Sequence, residues 1–336
     1  MYKNMEESKR VENFKRNSSL EDFLNEINND LWETEKNLLK IAEPDYPLIF
    51  VMGSLRSGST LMMQWLVNLG FACPTNMMSR FYKTPIIASK IQLLLTDERY
   101  NYRNELRDFN SEIDFSSENG KTKGALSPNE FWYFWRRFLP FKELDYLPTS
   151  ELLEKVDIDT FRAEFAGIVD VYQKPFALKG MILNYNIDFL DKIFEKAIFI
   201  YTKRDPLANI ESALKAREKQ LGSIEEWYSF KIPEYTELKK LNPYEQVAGQ
   251  IYHINKAIKS GLKNVAEHKK MTVIYEEFCE NPKVFYDELK EKLRVQGYEM
   301  ENEYYGADSF EITRKSVDDT NIIEAYKKIY ENGKNV

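Results

Sequence analysis

The 336-residue sequence predicts an α/β fold, a central parallel sheet flanked by helices. Three observations carry this prediction. Four short apolar runs, at 47–52, 176–181, 197–203 and 271–276, show little polar alternation, as strands buried on both faces do. Stretches of helical spacing lie between them, notably 59–69, 184–195, 206–220 and 244–260. Two of the strands end in residues suited to anions, and ligands in open α/β sheets sit beyond the strand C-termini.

The elements can be justified in chain order. Residues 1–17 are charged, and Ser18-Ser19-Leu20-Glu21 reads as a capping box. Leu20, Phe23, Leu24, Ile27 and Leu31 then follow helical spacing, which predicts a docking helix. Residues 1–45 therefore form a charged segment with that helix, and 46–330 a single domain. The strand at 47–52 runs into Gly53-Ser54-Leu55-Arg56-Ser57-Gly58-Ser59-Thr60. Gly53 and Gly58 have the separation of the phosphate-loop pattern G-x-x-x-x-G-K-[ST], but Ser59 stands where that pattern has its Lys. Arg56 supplies a cation inside the loop instead. The glycines let N–H groups close around an anion, and the following helix N-terminus adds partial positive charge. A phosphate or sulfate-phosphate ligand fits this loop better than ordinary ATP hydrolysis does.

Residues 73–170 interrupt the alternation with charged stretches, a Ser-Ser-Glu-Asn-Gly turn at 116–120 and an aromatic block at 131–138. The segment 222–243, with Trp227, Tyr228, Phe230 and Tyr235, is a second insertion. Loops on a fixed scaffold carry recognition, so substrate specificity is expected in both. The second strand carries Lys179 near its end. The third closes on Arg204, with Asp205 as N-cap and Pro206 at the first helical position. An arginine fork at Arg204 and a hydroxyl at Ser212 suit a second phosphate group, although such a junction also serves simply as a cap.

Composition bounds the function. Hydrophobic residues make up 43% and aromatics 14%, enough for a substantial core. A formal net charge of −7 opposes a general nucleic-acid binder, whose surface needs a broad basic field, and weakens the case for a long anionic polymer as substrate. Cys73 and Cys279 make no disulfide framework and stand in no metal spacing. No run approaches the ~20 apolar residues of a membrane span. The polar N-terminus predicts no secretory leader, so the cytoplasm is the expected compartment. Oligomeric state is left open.

The two anion motifs together resemble the sulfotransferases that use 3′-phosphoadenosine 5′-phosphosulfate (PAPS). Arg56-Ser57-Gly58-Ser59-Thr60 is similar to the family's [KR]-S-G-[ST]-T loop for the 5′-phosphosulfate. Arg204 and Ser212 are similar to its R-D-P-x-x-x-x-x-S element for the 3′-phosphate. Asn129-Glu130-Phe131-Trp132-Tyr133-Phe134-Trp135-Arg136-Arg137 resembles the H-E-F-x-Y-F-W-R-R stretch of a bacterial branch. Phe176-Ala177-Leu178-Lys179-Gly180 resembles its K-T-P or K-T-H strand, and residues 272–282 its Y-E-D-L-x-x-x-P element. The resemblance covers roughly 47–320. It implies a P-loop nucleotide-kinase-like sulfotransferase fold with helical insertions. It also implies PAPS as donor, a small-molecule or carbohydrate hydroxyl as acceptor, and no metal requirement. By the same resemblance Ser57, Gly58, Ser59, Thr60, Arg204 and Ser212 hold the donor. Residues 312–316 resemble the family's R-K-G loop, with Ser316 for Gly, so Arg314 and Lys315 are expected to close on the 3′-phosphate.

Sulfuryl transfer requires the acceptor oxygen in line with the leaving phosphate and stabilised charge on the leaving side. Arg56, in the position of the family's loop Lys, is an electrostatic clamp that stays protonated. Lys179 is the second cation, and Thr60 offers a hydroxyl. The acceptor hydroxyl needs a base. Many members carry a His two residues after the strand Lys, where this chain has Met181; others carry a Glu in the region that here, at 75–80, holds no carboxylate. The two histidines, His253 and His268, read as packing or surface groups. Glu130 is the remaining candidate, because it opens the aromatic block, where partial burial would raise a carboxyl pKa towards neutrality. A helix start after Pro128 accounts for the same residue without catalysis. Two other functions stay open: a P-loop small-molecule kinase, opposed by the absent Lys, and a non-catalytic nucleotide-binding protein.

Overall fold

The structure, a computed structural model, describes residues 10–103, 105–106, 109, 122–312 and 316–332. Its elements follow in the order α1 (Ser18–Lys36), β1 (Leu48–Gly53), α2 (Ser59–Asn68), α3 (Pro85–Thr96), α4 (Trp132–Phe138), α5 (Thr149–Lys155), α6 (Ile158–Tyr172) and β2 (Phe176–Lys179). Then come α7 (Ile187–Ile193), β3 (Ala197–Lys203), α8 (Pro206–Leu221), α9 (Tyr235–Leu238), α10 (Pro243–Gly261) and β4 (Lys270–Ile274). The chain continues through α11 (Tyr275–Glu280), α12 (Pro282–Val295) and α13 (Thr320–Asn332).

The four strands form one parallel sheet in the order β2-β1-β3-β4. Every residue of β1 is buried, which explains why its sequence lacks polar alternation. Its odd and even positions feed two cores. Leu48, Phe50 and Met52 face an aromatic-rich layer with Phe161, Phe165 and Phe199. Ile49 and Val51 face a second layer with Trp65, Ile200 and Leu289. Each such fully buried side chain is worth about 1.5–3 kcal/mol relative to exposure. Among the described residues no helix is long and apolar enough to cross a membrane. Both cysteines are free and buried.

Several boundaries differ from expectation. β2 stops at Lys179, not 181, because the chain turns at Gly180 into a 3₁₀ turn over Met181–Leu183. A Cβ at Gly180 would lie 2.6 Å from the Met52 sulfur and would force that side chain aside. The helix expected at 184–195 is accordingly shorter, at Ile187–Ile193. β4 ends at Ile274, because Tyr275 already opens α11.

The cap of α1 sits one residue earlier than the capping box predicted. Asn17 is the N-cap, accepting from the Leu20 N–H at 2.9 Å, while Glu21 pairs with Arg16. The helix is tied firmly to its neighbours. The buried Asn28 side chain donates to the Leu24 and Arg80 carbonyls and accepts from the Lys83 N–H. Glu35, also fully buried, accepts from the Ile86 and Ile87 N–H groups at 2.7 and 3.0 Å and so caps α3. Burial pushes its pKa up to about 7 despite those bonds.

Candidate functional site

The parallel register sets Gly53 beside Thr202, so the loops leaving β1 and β3 emerge next to each other. The loop after β1 is held from several sides. Asn184 bonds both the N–H and the carbonyl of Gly53, at 3.2 and 2.8 Å. Asn209, on α8, accepts from the Ser54 hydroxyl at 2.9 Å and donates to the Leu55 carbonyl at 2.6 Å. Thr202 donates to the Met52 carbonyl at 3.0 Å, and its oxygen lies 2.9 Å from the Ser57 hydroxyl. Two residues of the loop lie in the left-handed region, Arg56 at φ 60° and Gly58 at φ 94°. At Gly58 a Cβ would meet the Tyr275 ring at 2.4 Å, so the loop is closed on that side by an aromatic face. Gly58 and Ser59 open α2, where a helix leaves N–H groups without intrahelical partners.

Three cations converge on this loop. Lys179, 6% exposed, donates to the Thr60 hydroxyl at 2.8 Å and to Glu130 Oε1 at 3.0 Å. Arg204, 9% exposed, lies over the Tyr275 ring at 4.6 Å and donates to the Arg56 carbonyl at 3.3 Å. Its Nε is buried without a partner. Arg56 donates from Nε to the Ser212 hydroxyl at 3.2 Å. Burial lowers the Arg56 pKa, with the charge of Arg204 adding to the effect and Tyr228 and Glu130 opposing it.

Glu130 stands where the aromatic block begins. One carboxylate oxygen takes Lys179 and the other accepts the Trp132 indole N–H. Phe131, next in sequence, is held at φ 58° and stacked on Phe134, with ring centroids 4.4 Å apart. A non-glycine residue in that region costs on the order of 1–3 kcal/mol, which the packing must overcome. Glu130 is partly buried, as the aromatic block suggested, with a side chain 33% exposed and paired with Lys179.

Arg56, Gly58, Ser59, Thr60, Glu130, Lys179 and Arg204 therefore line a single cleft of about 1510 Å³. Trp132, Tyr133, Trp227, Tyr228 and Phe230, from the two insertions, form its aromatic walls. Ser212 lies behind Arg56 and orients it. Ser57 departs from expectation. Its side chain is fully buried against Thr202 and its N–H bonds the Ser54 carbonyl, so it braces the loop from within. Arg314 and Lys315 lie outside the described residues. His253 faces Glu234 at 3.3 Å on α10, and neither histidine lines the cleft.

Sequence reading missed Tyr275, Trp132, Asn184 and Asn209 as parts of the site. The asparagines carried only a faint signal, an amide shortly after a strand. Tyr275 and Trp132 stood in stretches that resemble the family, but nothing there assigned them a place in the site.

A family model described as "Sulfotransferase family" matches residues 47–299. Among solved structures the chain is similar to sulfotransferase STF9 from Mycobacterium avium, at 18% identity and TM-score 0.47, covering 88% of this chain and 77% of that one. It is similar to sulfotransferase STF1 from Mycobacterium tuberculosis H37Rv at 11% identity and TM-score 0.49, covering 80% and 72%. A third likeness is to the sulfotransferase domain of the Synechococcus PCC 7002 olefin synthase, at 16% identity and TM-score 0.40, covering 87% and 97%. No curated protein matches the chain.

Proposed function

The chain belongs to the sulfotransferase family, and on that premise we propose that it moves a sulfuryl group from PAPS to a hydroxyl of a small molecule or sugar. The observation that carries this reading is the convergence of Arg56, Lys179 and Arg204 on the loop that opens α2. PAPS bears two separate anionic groups, and the cleft offers a place for each. Gly58, Ser59 and Thr60 lie at a helix N-terminus suited to the 5′-phosphosulfate. Arg204, with a buried Nε lacking a partner, suits the 3′-phosphate, since an unmade bond on a buried cation is costly. Ser212, behind Arg56, belongs to the support of the site in this reading, and so does Ser57.

The chemistry assigned to the residues is an in-line displacement. The acceptor O–H gives its proton to the Glu130 carboxylate as the new O–S bond forms. The bond between sulfur and the bridging oxygen of the 5′-phosphate breaks, releasing 3′,5′-diphosphoadenosine. Arg56 and Lys179 meet the charge that gathers on the leaving oxygen. Lys179 joins base and loop, since it touches both Glu130 and Thr60. No metal enters this scheme.

Calorimetric titration with 3′,5′-diphosphoadenosine, with and without Mg²⁺, tests the donor assignment against ATP. Metal-independent binding of the diphosphonucleoside that exceeds ATP is expected. ATP binding of equal strength that requires Mg²⁺ would overturn it.

A further inference from the structure

The cleft has a charge that the donor does not exhaust. The chain as a whole carries −7. Among the described residues lining the cleft, eleven are Lys or Arg and only five are Asp or Glu. Three of these cations are assigned to the donor above. A concave surface with low-dielectric walls focuses the field of the remainder on whatever shares the cleft.

Arg137 is the most telling of them. It projects from α4 and lines the cleft, yet its Nε and Nη1 are buried and lack partners. Its Nη2 pairs with Glu164 on α6, which is fully buried. Burial raises the Glu164 pKa to about 8 against the pull of Arg137, whose Nη2 is the only guanidinium nitrogen that meets it. Aromatic faces hold the guanidinium in place: Phe138 at 4.2 Å, Phe134 at 5.3 Å and Trp32 of α1 at 5.7 Å. Lys83 also lines the cleft and spends its ammonium on the neutral amide of Asn29, on the same helix α1. Arg136, by contrast, has Asp145 at 3.1 Å.

We propose that the acceptor is itself an anion: a hydroxyl compound with an apolar body whose fixed negative group is held by Arg137, with Lys83 beside the same helix. This rests on the sulfotransferase reading, which makes Glu130 the end at which the hydroxyl reacts. Arg137 is the sixth residue of α4, which begins two residues after Glu130. At 1.5 Å per residue the helical part alone, Trp132 to Arg137, rises roughly 7.5 Å, so hydroxyl and anion stand at opposite ends of that stretch. Tyr82 and Tyr133, packed against each other with ring centroids 5.5 Å apart, line the cleft and offer one apolar wall to the body of the molecule.

The test is a set of matched pairs: straight-chain ω-hydroxy acids against their methyl esters, and ω-hydroxyalkyl phosphates against the corresponding diols. Binding is measured by calorimetry on the free protein and on the protein saturated with 3′,5′-diphosphoadenosine. The anionic member of at least one pair is expected to bind about tenfold or more tightly than its neutral counterpart, as a charge-assisted contact gives. The acid and phosphate arms tell which anion is preferred. Arg137→Met and Lys83→Met are each expected to narrow the gap between members of a pair. If Arg137→Met fails to fold because Glu164 loses its partner, Lys83→Met and the unaltered protein decide. Equal binding within every pair, or no binding by any anionic member, overturns the proposal. Failure of the diphosphonucleoside to bind would remove the donor assignment by itself, and the pairwise comparison on the free protein would still be read.

Discussion

Glu130 holds Lys179 with one oxygen and the Trp132 indole with the other, so replacing it with Gln changes charge while keeping the shape. Glu130→Gln is expected to cut turnover by roughly 10²–10⁴-fold, the range for losing a general base, with 3′,5′-diphosphoadenosine binding intact. Near-parental turnover in that variant would discard the assignment. Arg204→Ala is expected to weaken diphosphonucleoside binding by roughly 1.5–3 kcal/mol, read by calorimetry. Arg56→Ala should act differently, lowering kcat more than donor affinity, because its charge matters most as the bridging bond breaks. A raised KM with unchanged kcat would show uniform donor binding instead. At this scale the sequence was informative about residue type and weak about orientation. Arg56, Lys179 and Arg204 were legible as cations at or just beyond strand ends, although such junctions also serve as simple caps, and the structure brings all three to one cleft. The inward turn of Ser57 was not, because its partner Thr202 arrives from 145 residues away. The bond between Glu130 and Lys179 spans 49 residues and was equally hidden.

Gly58 shows how one element confines another. It begins α2 at φ 94°, and the first residue of α11 packs where its side chain would be. Gly58→Ala is therefore expected to displace either the loop or Tyr275, and with Tyr275 the face on which Arg204 rests. Diphosphonucleoside affinity should fall at least about tenfold with a modest drop in melting temperature, since the strained backbone costs about 1 kcal/mol or more. Unchanged affinity in a folded variant would show that the loop tolerates the clash. β1, β2 and β3 were legible because burial on both faces leaves an apolar run bounded by Gly, Pro or charge, whereas β4, at the sheet edge, alternates in burial. Their ends were less so: whether a chain continues extended past Lys179 depends on the Met52 sulfur beside Gly180, a contact between strands. The helix α1 was legible from its spacing, although Phe23, placed on the same face as Leu24, is exposed. Its attachment through Asn28 and Glu35 was not, because a polar residue in a helix looks solvent-facing until its partner is known.

For the molecule as a whole, two buried carboxyls set the pH dependence of stability. Glu35 and Glu164 have folded-state pKa values raised from 4.5 to about 7 and about 8. A raised carboxyl pKa means that the folded state holds protons the unfolded chain has released. Stability is then highest near or below pH 4.5 as far as these groups are concerned, and falls as pH rises through about 7 and about 8. Melting temperature should accordingly decline as pH rises from about 4.5 towards 8, and Glu35→Gln should remove the part of the decline that is complete by about 7. A melting temperature that rises over that interval in the parent would contradict both assignments. The topology was legible as far as a parallel sheet with both anion motifs at one edge, since that follows from alternation and motif order. The strand order was not, because nothing in an apolar run says which neighbour it will choose.

That strand order also fixes when the protein becomes able to fold. β1 pairs with β2 and β3 and with nothing nearer in sequence, so its hydrogen bonds wait for residues 176–179 and 197–203. At 5–20 residues per second, translation leaves the run Leu48–Met52 without its neighbours for roughly 8–30 s. Through that interval it is an unpaired apolar strand, the kind of segment that chaperones hold and that aggregates nucleate on. A nascent chain arrested before β3 should therefore remain protease-sensitive throughout β1, and the same chain released after residue 203 should begin to resist.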